Sequence, residues 1–165
     1  MATAYLGLGS NLGNRLAFLR GARDSLTSRF DITLLHSSGV YETTAAGGPT
    51  DSPPYLNAVL QIETPLSPRD LLAACLAVED EFGRTRPMLW APRTLDIDLL
   101  LYDDELVDEP DLRIPHPRLQ ERAFVLAPLN EIAPDQVHPV LGQTIRNLAE
   151  ALPPGPDLVP LRATW

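Results

Sequence analysis

Residues 95–101 read LDIDLLL, and this segment constrains the fold more than any other part of the chain. Side chains of an extended strand point alternately to its two faces. A strand here places the apolar residues 95, 97, 99 and 101 on one face and Asp96 and Asp98 together on the other. Aspartate is a poor strand former, yet it occurs twice in this apolar run. The segment therefore predicts a half-buried strand that carries a pair of carboxylates.

Two carboxylates on one face of a strand lie about 7 Å apart and repel each other unless a cation neutralises them. Mg²⁺ is typically held in proteins by one or two carboxylates together with phosphate oxygens and water. Asp96 and Asp98 are therefore candidate magnesium ligands. The alternative is a solvated strand face on which paired aspartates cost little.

The order of predicted elements indicates an α+β fold. A strand, a helix, two strands, a second helix and a further strand follow one another, over residues 3–8, 14–28, 31–43, 55–63, 67–82 and 95–102. The second helix begins with Ser67 as its N-cap, and its apolar residues, Cys75 among them, repeat at helical spacing. Two antiparallel strand pairs with helices on one face form a ferredoxin-like sandwich. A chain of 165 residues suits a single domain, 1–165.

The remaining elements are shorter. Asp103 and Asp104 predict a hairpin turn from the 95–102 strand into a strand at 106–107. Short helical pieces are expected near 118–122 and 143–151, followed by a proline-rich tail. The glycines between Gly7 and Gly13 miss the spacing of a dinucleotide-binding loop, so we interpret that segment as a tight turn between strand and helix.

Composition excludes several classes of protein. All 13 basic residues are arginine, which excludes a Walker A lysine, a Schiff-base lysine and the lysine of a protein kinase. The net charge of −9 argues against nucleic acid and anionic membranes as partners. The single cysteine, Cys75, excludes an internal disulfide and multi-cysteine metal sites, and we interpret it as a core residue. Without an apolar leader or a membrane-spanning run, we expect a cytoplasmic protein.

Three arginines lie just upstream of the aspartate pair, at Arg84, Arg86 and Arg93. Guanidinium groups bind phosphate oxygens in a bidentate manner and remain charged when partly desolvated. Beside a carboxylate pair that holds Mg²⁺, they favour a site for phosphoryl-type transfer. Alone, they would equally suit a basic loop that balances neighbouring acidic residues.

Two further positions are candidate binding residues. Tyr55 and Asn57 share one strand face, where an aromatic plane beside an amide suits a flat heterocycle, although an ordinary half-exposed strand remains an alternative. His116 lies between two prolines, where a histidine is usually a structural loop residue and can also contact phosphate.

Taken together, these segments resemble the 6-hydroxymethyl-7,8-dihydropterin pyrophosphokinase family of folate synthesis. The resemblance covers nearly the whole chain and rests on the sequences GSNLG, YET, YLN, GRTR, PRTLDID, IPHP and RAF, at residues 9–13, 41–43, 55–57, 83–86, 92–98, 114–117 and 122–124. The family has a ferredoxin-like fold, in agreement with the predicted order of elements.

The resemblance implies transfer of pyrophosphate from ATP to the hydroxymethyl group of the pterin, with release of AMP. It makes Asp96 and Asp98 the ligands of two Mg²⁺ ions that bridge the ATP phosphates. The residues it implies around ATP are Glu79, Arg86, Trp90, Arg93, His116 and Arg122, with Arg84 on a mobile loop that closes over the phosphates. The residues it implies around the pterin are Thr43, Tyr55, Asn57 and Phe124. ATP and the pterin are thus the expected small-molecule partners of a protein that we expect to be monomeric.

Three alternatives remain at this point. A catalytically weakened relative that binds pterin or nucleotide is mildly favoured by Leu89, which stands where the family commonly has a basic residue before Trp90. The intact Asp96, Asp98 and Arg93 argue against it. A metal-dependent phosphodiesterase or sugar-nucleotide enzyme would normally show further carboxylate or histidine ligands. A scaffold role leaves the aspartate pair and the arginine cluster unexplained.

The departure at Leu89 generates a first prediction. Leu89→Arg restores a phosphate-binding cation, so we expect it to tighten ATP binding. Isothermal titration calorimetry of both proteins measures the effect. An unaltered nucleotide affinity would show that the missing cation is irrelevant or already replaced.

Overall fold

The computed structural model describes residues 1–11, 13–43, 54–83, 95–152, 158–161 and 165. Within these ranges, no helix is long and apolar enough to cross a lipid bilayer. The helices are α1 (Arg15–Arg29), α2 (Pro68–Glu81), α3 (Ala123–Ile132) and α4 (Ile145–Ala151), with one 3₁₀ turn at Leu119–Glu121. The strands are β1 (Ala2–Ser10), β2 (Thr33–Ser37), β3 (Val40–Thr43), β4 (Tyr55–Thr64), β5 (Asp96–Tyr102), β6 (Val107–Glu109), β7 (Leu112–Ile114) and β8 (Leu158–Leu161).

The central sheet is antiparallel and has the strand order β5-β1-β4-β3-β8, with β2 also paired to β4. The first strand of the chain therefore lies inside the sheet, between β4 and β5. This arrangement confirms the predicted α+β sandwich. The predicted strand 31–43 is present as two strands, because Ser38 and Gly39 interrupt it while both halves remain paired with β4.

Helix α2 begins as its sequence predicts. The hydroxyl of Ser67 accepts a hydrogen bond from the backbone N–H of Asp70, at 3.2 Å, and Pro68 occupies the first turn. Gly83, which ends the helix, has a φ of +81°, a conformation that glycine adopts without strain. Cys75 is buried in the core as expected, and burial raises the pKa of its thiol.

The sheet has a hydrophobic core on each face. On the first face, side chains such as Leu6 and Leu8 of β1 pack against α1 and α2. On the second face, Tyr5, Val59 and Leu101 pack against the buried residues of α3 and α4. The C-terminal helices therefore add a layer to the two-layer sandwich.

The alternation predicted for residues 95–101 is wrong at its end. The register between β1 and β5 shifts between Tyr5 and Leu6, which is a β-bulge. As a result, Leu100 and Leu101 both belong to the core of the second face, whereas residues 95, 97 and 99 belong to the first. Asp96 and Asp98 precede the bulge and keep their predicted common face.

Three other expectations need correction. A turn does follow β5 at Asp103, where φ is +46°, but β6 pairs with β7 and not with β5. Helix α3 lies between the two predicted helical pieces, and the sequence pattern does not predict it. Pro128 and the short apolar run 123–129 do not show a clear helical pattern. Part of the tail forms β8, which pairs with β3 at the edge of the sheet, where a proline such as Pro160 is tolerated.

One carboxylate joins α3 to β3. Glu131 accepts hydrogen bonds from the hydroxyl of Tyr41, at 2.8 Å, and from the backbone N–H of Gly39, at 2.9 Å. Burial, reinforced by the hydrogen bond to Glu131 and by its charge, raises the pKa of Tyr41 to about 12. The interaction fixes the C-terminal end of α3 against the sheet.

This contact generates a prediction about stability. Glu131→Ala removes both hydrogen bonds and should lower the free energy of unfolding by about 1 kcal/mol, the usual value for partly exposed bonds. Glu131→Gln keeps an oxygen acceptor, so its free energy of unfolding should fall by less than that of Glu131→Ala. Urea denaturation of the three proteins measures the difference, and equal midpoints for Glu131→Ala and the wild type would contradict the role of this contact.

Candidate active site

One row of residues across the sheet contains a predicted metal ligand, a glycine of the 7–13 segment and a predicted pterin-binding residue. Gly9 of β1 pairs with Asp96 of β5 on one side and with Asn57 of β4 on the other. Paired residues on neighbouring strands point to the same face of a sheet. Asp96 and Asn57 therefore project from one face with only a glycine between them, and their Cα atoms lie about 10 Å apart, which is two strand spacings.

The next row on the same face pairs Asp98 with Gly7. A Cβ atom at Gly7 would lie 3.4 Å from the side chain of Leu100, and one at Gly9 would lie 3.2 Å from Oδ1 of Asn57. The two glycines thus leave room for the side chains of Leu100 and Asn57, and Gly9 itself is buried. The predicted strand 3–8 includes Gly7 and ends before Gly9, which the sequence pattern places in the turn. This expectation is wrong for Gly9, because β1 continues to Ser10 and the positive φ of +71° lies at Gly13.

A buried carboxylate supports the strand on which the two aspartates lie. Glu79 of α2 is 3 % exposed, and its Oε2 accepts a hydrogen bond from the backbone N–H of Ile97, at 2.8 Å. Among the strands that the structure describes, β5 lies at the edge of the sheet, and this N–H bonds to the carboxylate in place of a neighbouring strand. Ile97 lies between Asp96 and Asp98, and Glu79 therefore fixes the backbone at the centre of the carboxylate pair.

The residues expected at the pterin occupy β3, β4 and the start of α3. Asn57 is nearly buried, and its Nδ2 donates a hydrogen bond to the hydroxyl of Thr43, at 2.8 Å. Tyr55 lies two residues before Asn57 and pairs with Thr43 across the strands. These three residues therefore form one polar and aromatic surface on β3 and β4.

Phe124 lies in the first turn of α3, the helix that covers the second face of the sheet. The guanidinium of Arg122, the N-cap residue, lies 5.6 Å from the centre of its ring. This distance is typical of a cation–π contact. An aromatic plane and a cation thus stand together at the border of the layer formed by α3.

His116 is held beside the edge of β5. Its backbone N–H bonds to the carbonyl of Leu100 at 2.9 Å, and the N–H of Arg118 donates to its Nδ1 at 3.2 Å. Because Nδ1 accepts, Nε2 carries the proton of the neutral ring and can donate it. Burial lowers the pKa of His116, an effect that Asp98 opposes and that Arg122 and Arg118 reinforce. The neutral imidazole is therefore favoured at neutral pH.

A cavity of about 280 Å³ adjoins this group. Its lining comes from α2, from residues 97–99 of β5, from the β6–β7 hairpin and from the segment that contains His116. Because Asp98 and His116 lie in its wall, the cavity joins one predicted metal ligand to one predicted nucleotide contact. Nothing in the sequence pattern indicated its depth or its position.

The donor set fits a magnesium ion that shares its coordination with a ligand. Asp96 and Asp98 are half-buried, project from one face and pair with the two glycines of β1. Among the residues that the structure describes, no group of three or more histidine, cysteine, aspartate or glutamate side chains could hold a metal ion. Two carboxylates completed by phosphate oxygens and water match the usual coordination of Mg²⁺.

Four of the predicted site residues lie outside the described part of the chain. They are Arg84, Arg86, Trp90 and Arg93, and the departure at Leu89 lies there too.

Comparison with known proteins identifies the family. Residues 5–134 match the model of the family described as 7,8-dihydro-6-hydroxymethylpterin-pyrophosphokinase (HPPK). The chain is 44% identical over 154 residues to the 2-amino-4-hydroxy-6-hydroxymethyldihydropteridine pyrophosphokinase of Methylorubrum extorquens, covering 93% of this chain and 96% of the relative. It is 44% identical over 129 residues to the enzyme of the same name from Bacillus subtilis, covering 78% and 77% of the two chains.

Solved structures agree on the fold. Wild-type Plasmodium falciparum HPPK-DHPS with pteroate superposes with a TM-score of 0.71 at 16% sequence identity, over 90% of this chain and 42% of that chain. The A437G variant with SDX-DHP gives a TM-score of 0.72 at 17% identity, over 90% of this chain and 45% of that chain. The chain thus spans less than half the length of these solved chains, and the likeness confirms the ferredoxin-like fold.

The family match and the identity to two bacterial enzymes lead to one conclusion: this chain belongs to the HPPK family, and it is a pyrophosphokinase of folate biosynthesis that uses ATP.

Proposed function

We propose that this chain transfers the pyrophosphoryl group at the row formed by Asp96, Gly9 and Asn57, with ATP on the β5 side and the pterin on the β4 side. The single observation that carries this assignment is the pairing of Gly9 with both Asp96 and Asn57. A reaction between two substrates needs the reacting groups to meet, and in this row only one strand, β1, separates the two binding surfaces.

The pterin side offers the groups that a flat, polar ring requires. Asn57 presents an amide, and its hydrogen bond to Thr43 orients that amide. Tyr55 and Phe124 offer aromatic planes against which the ring can stack. We assign the pterin to these four residues.

The ATP side offers positively charged groups and a hydrogen-bond donor for the phosphates. His116, with its proton on Nε2, can donate to a phosphate oxygen, and Arg122 adds a permanent positive charge nearby. The cavity beside Asp98 can accept the nucleoside part of ATP. We also assign Arg86, Trp90 and Arg93 to ATP, and Arg84 to the loop that closes over the phosphates, from the sequence motifs in which they lie.

Asp96 and Asp98 are proposed to hold two Mg²⁺ ions. When bound, these ions neutralise charge on the phosphates and help to orient them. The protein contributes by keeping both carboxylates on one face, at a spacing set by the strand, and Glu79 fixes the backbone between them. Burial of Glu79 makes a positioning role more consistent with the structure than direct contact with ATP.

The proposed transfer needs no covalent enzyme intermediate. The hydroxyl oxygen of the pterin bonds to the β-phosphorus of ATP and gives up its proton to solvent. The bond from this phosphorus to the oxygen that bridges to the α-phosphorus breaks, and AMP leaves. Such a reaction depends mainly on alignment and on stabilisation of negative charge. The arginines and the histidine supply that stabilisation.

Formation of AMP tests the proposal directly. Purified protein with ATP, Mg²⁺ and 6-hydroxymethyl-7,8-dihydropterin should form AMP, and a mixture without the pterin should not. Asp96→Ala and Asp98→Ala should each lower turnover by about 100-fold or more, because each removes a proposed metal ligand. Asp104→Ala, an exposed change in the turn after β5, is the matched control and should leave turnover unchanged.

Circular dichroism should show that both aspartate variants remain folded. Unchanged activity in both would refute the assignment of the metal ligands. Absence of AMP from a folded wild-type protein that binds the pterin would instead favour a weakened relative.

Glu79 generates a separate prediction. Glu79→Ala leaves the buried N–H of Ile97 unbonded, so we expect a loss of about 1–3 kcal/mol in the free energy of unfolding and a clear fall in kcat. Glu79→Gln retains an oxygen acceptor, so its free energy of unfolding and its kcat should both stay close to the wild-type values. Denaturation and steady-state kinetics measure the two effects. A Glu79→Ala variant with wild-type kcat would show that this hydrogen bond does not position the aspartates.

A further inference from the structure

The cavity beside Asp98 has two walls that come from distant parts of the chain. Leu72 of α2 forms part of one wall, and Asp111, Leu112 and Arg113 of the β6–β7 hairpin form part of the other. Asp111 therefore lies in the wall of a cavity that, on the proposed function, accepts an anionic nucleotide. An uncompensated negative charge at this position would oppose binding.

Arg69 joins the two walls. Its guanidinium makes a bidentate contact with Asp111, with both N···O distances at 2.8 Å, and its Nη2 lies 3.0 Å from Oε1 of Glu109. Arg69 lies in the first turn of α2, three residues before Leu72, so both residues lie on neighbouring positions of one helix face. One side chain thus links the helix wall to the hairpin wall.

The contact is an ion-pair network at the protein surface. The side chain of Arg69 is 46% exposed and that of Asp111 is 66% exposed. Exposed pairs contribute little to global stability, although bidentate geometry and shared partners strengthen their local effect. Arg69 also holds the pKa of Asp111 below its ordinary value, so this carboxylate remains ionised and needs the compensating charge.

We propose that Arg69 is a positioning residue for nucleotide binding, which holds Asp111 against α2 and neutralises its charge at the cavity wall. The inference rests on the proposed function, because it requires that this cavity receives ATP. Arg69 acts through Asp111 and not by contact with the reacting atoms. Its effect should therefore fall on the affinity for nucleotide and not on the chemical step.

The first experiment compares Arg69→Ala with the wild type in the AMP assay. We expect the KM for ATP to rise about fivefold at low ionic strength, as estimated for one unscreened charge near the phosphates. The kcat at saturating ATP and the KM for the pterin should stay within about twofold of wild type. The dissociation constant for a non-hydrolysable ATP analogue with Mg²⁺, measured by calorimetry, should rise by the same factor as the KM.

Arg146→Ala is the matched control. Arg146 forms a similarly exposed ion pair with Asp135, at 3.1 Å, on α4. Loss of this ion pair in Arg146→Ala should leave the KM for ATP unchanged. A rise in the KM for ATP in both variants would indicate a general electrostatic effect and would overturn the specific role of Arg69.

A double variant separates neutralisation of charge from a purely structural role. Asp111→Asn in the Arg69→Ala background removes the exposed negative charge, so it should recover at least about half of the lost affinity on a logarithmic scale. No recovery would overturn the proposal, as would an Arg69→Ala variant that binds the analogue like the wild type. Wild-type protein that forms no AMP would refute the proposed function itself, so the two failures are distinguishable.

Discussion

The candidate site depends on one buried hydrogen bond, from the backbone N–H of Ile97 to the carboxylate of Glu79. An edge strand normally presents such N–H groups to water or to another chain. Here a carboxylate of α2 takes the place of a neighbouring strand, although burial of a charge is costly unless it is well bonded. The bond belongs at once to the helix–sheet interface and to the strand that carries both aspartates. Stability and the geometry of the carboxylate pair are therefore coupled at this point.

The second face of the sheet is divided between a packed core and the candidate site. Tyr5, Val59 and Leu101 form one part of it, where α3 and α4 cover them. Further along the same strands, Gly7 and Gly9 replace side chains that would continue that core. The change from large apolar residues to glycine within one strand thus marks where the apolar core gives way to the row that contains Asp96 and Asn57. Helix α3 serves both parts, since it packs on the sheet and carries Phe124 at its start.

Most of the fold follows from local patterns in the sequence, because cap residues, alternation and helical spacing act within a few neighbours. These patterns correctly predicted α2 from Ser67 onward and the common face of Asp96 and Asp98. They failed where long-range pairing decides the outcome. The bulge opposite Tyr5 moves Leu101 to the other face, and β8 exists because β3 offers it an edge. For the same reason, no local pattern could show that Glu79 bonds to Ile97, 18 positions away, or that Arg69 reaches Asp111, 42 positions away.

An acidic protein that binds polyphosphate must keep positive charge available locally while its overall field is repulsive. In the described part of the chain, seven arginines form ion pairs with carboxylates, at positions 15, 23, 29, 69, 113, 118 and 146. Within the described ranges, Arg122 forms no such pair and instead stacks on the ring of Phe124. An aromatic partner fixes the guanidinium without neutralising it. The charge of Arg122 thus remains available to the phosphates that we propose it binds, whereas Arg69 neutralises Asp111, the carboxylate that would repel them.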